Sequence, residues 1–316
     1  MGARRLVKGM LTWVPGLQRA FLDSSAGGGT GSASYCYGVW LKHLTLLREA
    51  GMAEVPRNVI ELGPGNSLGT GIATLLSGAG HYLGIDAFPH VRAETNVFVM
   101  RELVQLFRAR APRPRAGFPV IDHLLDAQLF PSHILDEKRL DAALAPDRLD
   151  RIDDSVRAID LNYADAMIHY STWSDLRPVP EGEADLLFSH VVMNQVSDIE
   201  RVYEHCGKWV KPGGWMSHQL DMTALGTADS WNGHRAYSEL AWKIIAGKRP
   251  FFVNREPLAT HLELMRANGF DIATLIRGTR EGGITRQELA PRWQGISDED
   301  LATETGFVIA RRRTRA

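Results

Sequence analysis

Two acids and two glycines carry the first chemistry legible in this chain. Glu61 ends a short apolar run, Gly63, Pro64 and Gly65 follow it, a helical apolar pattern comes next, and a second short run ends at Asp86. A glycine has no Cβ to hold the backbone away from a ligand. An acid about twenty residues beyond such a turn can accept from both hydroxyls of a ribose. Strand, glycine turn, helix, strand, acid is half of a Rossmann-type nucleotide-binding unit. It points to an adenosine cofactor and leaves open which one. Each acid also has a plain structural role open to it: Glu61 as partner of a helix N-terminus, Asp86 as a turn cap.

Composition bounds the rest. The chain has 316 residues, 44% hydrophobic and 23% charged, with a formal net charge of −1. Those values suit a globular protein and give no basic field for nucleic acid. Arg311, Arg312, Arg313 and Arg315 follow the last apolar pattern and read as a solvated tail. Cys36 and Cys206 are far apart and read as buried reduced thiols of a cytoplasmic protein, with no metal site expected. No run is long and apolar enough for a membrane span. The basic, partly apolar N-terminus is broken by Lys8, Gly9 and Pro15, which argues against a signal peptide and leaves a membrane-surface role as the lesser reading.

The elements that must position these residues follow from periodicity. Residues 1–56 read as an N-terminal helical cap, with a small-residue loop at 24–33 and a helix in YCYGVWLKHLTLLREAGM. Residues 57–316 read as the main domain. Within it, residues 88–155 read as a helical insertion, including helices over Asn96–Arg110, 120–128 and 136–157. Strands are expected at 57–62, at 157–162 (RAIDLN), at 184–190 (ADLLFSH) and at 215–222, the last after a KPGG turn. A loop at 223–256, rich in Trp, Asn, Gly, His and Arg, reads as an acceptor loop. FDIATLIRG and TGFVIARRR close the chain as two strands with no helix between them. The fold class is therefore α/β: a Rossmann-like, seven-stranded, mostly parallel sheet with an antiparallel edge pair.

In order, ELGPGNSLG, the acid at Asp86, DLLFSHVVMNQVSDIERVYEHCGKWVKPGG and the two closing strands resemble the class I S-adenosylmethionine-dependent methyltransferases. The match covers 57–86 and 157–310. YCYGVWLKHL, FPSHIL and FVNREPLATHLELM also resemble a poorly characterised bacterial branch of that superfamily, associated with polysaccharide or small-metabolite modification. Two positions depart from the pattern: Ser67 stands where some members carry a third glycine, and Asn194 and Gln195 stand where many carry Glu-His.

The resemblance implies S-adenosyl-L-methionine as cofactor and a small-molecule or glycan acceptor, and leaves a homodimer open. It implies that Glu61 receives the cofactor's ammonium group and that Gly63, Pro64, Gly65 and Asn66 pass close to its methionine part. Asp86 and Ala87 would lie at the ribose, Asp165 and Ala166 (in YADA) at the adenine, and Ser189 and His190, at the end of the fourth strand, would also contact the cofactor. A hydroxyl acceptor needs a base, and His190, at a strand end, and His234, in the long loop, are the candidates. His218 and Asp221, three apart in one strand, would point to opposite faces. Each histidine also has a structural alternative. Two rival functions share the glycine turn: a nicotinamide-dependent oxidoreductase, and a catalytically silent cofactor-binding protein.

Overall fold

The computed structural model describes residues 3–14, 29–89, 91–114, 129–159, 165–176, 179–249 and 252–314. The helix expected at 120–128 lies outside them. In chain order the elements are α1 (Ala3–Leu11), α2 (Ala33–Glu49), β1 (Asn58–Leu62), α3 (Gly69–Leu76), β2 (His81–Asp86), α4 (Ala93–Arg108), α5 (Glu137–Ala143) and α6 (Pro146–Arg157). After these come β3 (Ile168–Thr172), β4 (Ala184–His190), α7 (Ile199–Trp209), β5 (Val210–Asp221), α8 (Glu239–Ala246), α9 (Leu258–Ala267), β6 (Phe270–Thr279), α10 (Asp298–Ala302) and β7 (Thr303–Arg312).

The strands form one seven-stranded sheet in the order β3-β2-β1-β4-β5-β7-β6. β1 pairs in parallel with β2 and β4, and β4 with β5. β7 enters antiparallel to both β5 and β6, so the closing pair is antiparallel, with β6 at one edge of the sheet and β3 at the other. Residues of KPGG lie in an irregularity of the β4–β5 pairing, where Gly213 takes a φ of +78°.

Both faces of the sheet are covered, and strand alternation decides which side chains meet which layer. Val59, Tyr82, Leu186, Phe188 and Phe307 share a core with α2, α3 and α4. Ile60, Leu62, Leu187, Met216 and Val308 share the other with α7 and α9. α2 begins at Ser32, whose side chain accepts from the Tyr35 amide. Leu41, Leu44 and Leu47 are fully buried, each contributing about 1.5–3 kcal/mol of transfer free energy. Trp40 donates from its indole to Ser77 Oγ at 2.8 Å. α2, read from the sequence as part of a cap, thus lies in the same core as β1. α6 starts on Pro146, whose missing N–H costs nothing there.

The third strand differs from the sequence expectation. Arg157 closes α6, Ala158 and Ile159 turn, residues 160–164 lie outside the described residues, and the strand that pairs with β2 is Ile168–Thr172. Of RAIDLN, Arg157 is the last residue of α6, and Ala158 and Ile159 form the turn after it. The true strand, IHYST, is half-buried at the sheet edge and carries little apolar signal.

Candidate functional site

Glu61, Tyr82, Gly84, Asp86 and His190 point to the α2 side of the sheet, by the alternation that sends Ile60, Leu83, Ile85 and Leu187 to the other. The carboxyl end of β1, beside those of β2 and β4, is where ligands of open α/β sheets bind. Glu61 is 3% exposed and Asp86 7%. The Tyr82 hydroxyl donates to Glu61 Oε2 at 2.6 Å. Burial outweighs that hydrogen bond, and with Asp86 nearby the Glu61 carboxyl is pushed up to about 8.

The glycine turn leaves β1 with Gly63 at φ +69° and Gly65 at φ +79°, a region that favours glycine. The Gly63 amide donates to Ile85 O at 2.8 Å, and a Cβ at Gly63 would meet the Val192 side chain at 2.5 Å. The next amides are all engaged from within the protein. Gly65 N donates to Asp86 Oδ2 (3.1 Å), Asn66 N and Ser67 N to Thr30 Oγ1 (3.0 and 3.4 Å), and Leu68 N to Asn96 Oδ1 (2.8 Å). The other Asp86 oxygen accepts from Ala87 N at 2.7 Å. The two oxygens of a carboxylate suit the two adjacent hydroxyls of a ribose diol. Pro64 is buried, and Ala87 is exposed at the rim.

His190 ends β4 and is half-buried. Its Nδ1 lies 3.3 Å from His43 Nε2, and His43 Nδ1 lies 2.8 Å from Ser217 Oγ. Tyr35 meets the His190 ring edge-on at 6.1 Å. Burial, then the charge of Lys42, lowers His190 to about 3, so the ring is neutral at physiological pH. The next residue, Val191, holds φ +60°, a strained conformation for a β-branched side chain. Ser189 points to the other face and meets His218 Nδ1 at 2.7 Å, against Tyr203 and His261. His218 and Asp221 accordingly face opposite ways. Asp221, raised by burial, caps its own turn by accepting from Thr223 N at 2.8 Å.

Two expectations are corrected. Asp165 and Ala166 precede β3, at its amino end, opposite the edge that carries the glycine turn, and Asp165 is exposed. An adenine at the carboxyl edge is out of their reach; Thr172, level with Asp86 in the β2–β3 register, holds the strand end instead. His234 sits in a short turn of helix, fully buried against Trp242 (6.2 Å) and under the charges of Arg235 and Arg255. No hydrogen bond or ring contact joins it to His190 among the described residues. Tyr237 and Trp242 stack at 6.0 Å in a local core with Ile245 and Val253.

The sequence reading passed over Tyr82, Thr30, Lys42 and His43. The signal for Tyr82 was present, since it lies four residues before Asp86 and therefore on the same strand face. Lys42 and His43 are both fully buried. Two adjacent polar residues inside an otherwise apolar helix were the available sign. Cys36 donates to Thr30 O, and burial pushes its thiol up to about 12, which removes it as a nucleophile. A cavity of about 270 Å³ lies at the other end of the sheet, where β1 and β2 begin, lined by Asn58, His81, His169 and Glu183 among others.

No family model matches the chain, and no curated protein matches it. Among solved structures it is similar to phosphoethanolamine N-methyltransferase 2 of Haemonchus contortus in complex with S-adenosyl-L-methionine, at 15% identity and a TM-score of 0.45. That match covers 94% of this chain and 60% of the Haemonchus chain, so this chain spans less than two thirds of that protein's length. An S-adenosylmethionine-dependent methyltransferase of Mesorhizobium loti is 15% identical over 85% of this chain and 96% of its own, with a TM-score of 0.40. Geranyl diphosphate C-methyltransferase of Streptomyces coelicolor is 12% identical over 86% of this chain and 78% of its own, with a TM-score of 0.43.

Proposed function

We propose that this chain is an S-adenosylmethionine-dependent methyltransferase acting on an oxygen of a small molecule or glycan. The observation that carries the reading is the engagement of the glycine-turn amides. A dinucleotide rests its pyrophosphate on free N–H groups at this helix start. Here Asp86, Thr30 and Asn96 already occupy the amides of Gly65, Asn66, Ser67 and Leu68. A cofactor with a ribose diol, an ammonium group and no phosphate suits a site whose open polar groups are carboxylate acceptors. Asp86 accepts from the diol, and Glu61 faces the ammonium.

S-adenosylmethionine, when bound, supplies an electrophilic methyl group. The protein's part is to hold the acceptor in line with it and exclude water. His190, beside the turn on the same sheet face, hydrogen-bonds the acceptor oxygen.

Calorimetry tests the reading. S-adenosylhomocysteine should bind the wild type, and NAD(H) should not. Asp86→Ala should weaken S-adenosylhomocysteine by about 10- to 100-fold, the scale of hydrogen bonds to a charged group. Binding of NAD(H) alone would reverse the assignment in favour of an oxidoreductase.

A further inference from the structure

We infer that the outward face of α1 is a docking surface for a bilayer rich in anionic lipid.

α1 is held against α8 by backbone as much as by side chains. A Cβ at Gly9 would overlap the Ile244 carbonyl, so only a glycine lets the two helices come this close. Thr12 Oγ1 accepts from the Lys248 amide at 2.8 Å, and Arg5 pairs with Asp229 at 2.8 Å. Leu6 packs on the local core of Tyr237, Trp242 and Ile245. Arg5, Leu6, Gly9 and Thr12 are thus the stripe that faces the protein, and they fix the rotation of α1 about its axis.

That rotation turns an apolar stripe outward. Helical turns continue past Leu11, where the Trp13 amide donates to Met10 O at 3.0 Å and the Val14 amide to Leu11 O at 3.2 Å. Val7, Met10, Leu11 and Val14 therefore follow the i, i+3, i+4, i+7 spacing of one helix face. Together with Trp13 they are between 38% and 51% exposed. A surface helix ordinarily turns such a stripe to the core, and this one turns it away. Five of the eleven exposed large hydrophobics among the described residues lie between Val7 and Val14, a concentration that marks an interaction surface.

Charge selects the partner. Residues 3–14 contain no acid. Arg4 and Lys8 are exposed one turn apart on the flank of the stripe, and Lys248 Nζ lies over the Trp13 ring, 5.0 Å from its centre. None of these three cations has a carboxylate partner among the described residues, and Asp229 is taken by Arg5. A second copy meeting this face with its own would bring the same cations and no acid. An anionic lipid surface meets them with opposite charge and takes the apolar stripe into its acyl boundary. An indole such as that of Trp13 suits the headgroup level, and the long Arg and Lys side chains reach lipid phosphates from there. α8 belongs to the stretch read as the acceptor loop, so docking holds that stretch at the lipid surface.

Flotation of the whole protein with vesicles tests the inference. The wild type should float with vesicles of phosphatidylcholine and phosphatidylglycerol in equal parts and not with phosphatidylcholine alone, and rising salt should weaken the binding. Met10→Glu combined with Leu11→Glu should abolish flotation and leave the melting temperature unchanged, since both side chains already meet water. Arg4→Ser combined with Lys8→Ser should lower the partition by about fivefold for each cation removed. Failure of the wild type to float with the mixed vesicles overturns the inference whatever the variants do. Equal flotation with phosphatidylcholine overturns the anionic partner, and flotation unchanged by the two glutamates removes α1 as the docking face. A wild type that stays off vesicles but self-associates in ultracentrifugation, and loses that with the glutamates, gives the face to a second copy instead.

Discussion

The Tyr82 hydroxyl donates to Glu61 Oε2 at 2.6 Å, tying β2 to β1 four residues before Asp86 on the same sheet face. The bond satisfies one oxygen of a carboxyl that burial otherwise keeps protonated, at about 8. An ammonium group arriving beside it would reverse the balance, since an opposite charge favours the ionised form. Binding of S-adenosylhomocysteine at pH 6–7 should therefore release close to one proton, and affinity should rise as pH approaches 8. Titration calorimetry in two buffers of different ionisation enthalpy reads the proton count. Glu61→Gln should abolish the release; an unchanged count in that variant would remove Glu61 from the ammonium site.

Acid should unfold this protein early. His43, His218, His234 and His261 are fully buried, and burial is the first cause that lowers each ring below its ordinary 6.5. As pH falls through 6.5 the unfolded chain takes up these protons and the folded chain does not. The stability tied to neutral rings is thus fully present above 6.5 and is lost as pH falls toward the folded values. Each ring adds about 1.4 kcal/mol per pH unit to the slope in that window. Urea unfolding at pH 5, 6 and 7 should show a steep decline, and His234→Gln should make it shallower by about that amount. An unaltered slope would mean that the ring is already protonated in the fold.

A glycine in α3 controls the Glu61 pocket from below. A Cβ at Gly71 would stand 2.1 Å from Tyr82 Cζ. Because Tyr82 is packed on every side, it cannot withdraw without releasing Glu61. Gly71→Ala should cost about 1–3 kcal/mol of stability, the usual penalty of overpacking. It should also weaken S-adenosylhomocysteine binding, where Gly295→Ala, with nothing within 4 Å of the added Cβ, should leave binding unchanged. Equal affinity in wild type and Gly71→Ala would uncouple Tyr82 from the cofactor site.

What the sequence could reveal depended on how local the cause was. ADLLFSH forms a strand over Ala184–His190 because its apolar run and its bounds are self-contained. The placement of Glu61 and Asp86 on neighbouring strands was legible for a similar reason: one glycine turn and one helix fix their separation. β3 was misplaced because IHYST, at an edge, carries only part of a buried face. Asp165 went with it. Lys42 and His43 were hidden by long-range packing. Helical periodicity assigns polar residues to solvent, whereas α2 is wedged between the sheet and its neighbouring helices, and His43 meets Ser217 and His190 from distant strands.

Thr30 supplies the last test, because it separates the turn's own stability from its role as a ligand cradle. Its hydroxyl accepts from the amides of Asn66 and Ser67 at 3.0 and 3.4 Å, and its carbonyl accepts from Ser67 Oγ and from Cys36 Sγ. It therefore does for the start of α3 what a capping side chain does within a helix, but from a segment more than thirty residues earlier. Thr30→Val keeps the shape, keeps the carbonyl contacts and removes the oxygen. The loss should be about 0.5–2 kcal/mol of stability, within the range for lost caps. With two amides freed, the helix start should gain affinity for sulfate or inorganic phosphate, seen as a rise in melting temperature with either anion that the wild type lacks. An equal anion response in the wild type would show that its turn amides are available after all. The argument that sets a phosphate-free cofactor above a dinucleotide would then fail.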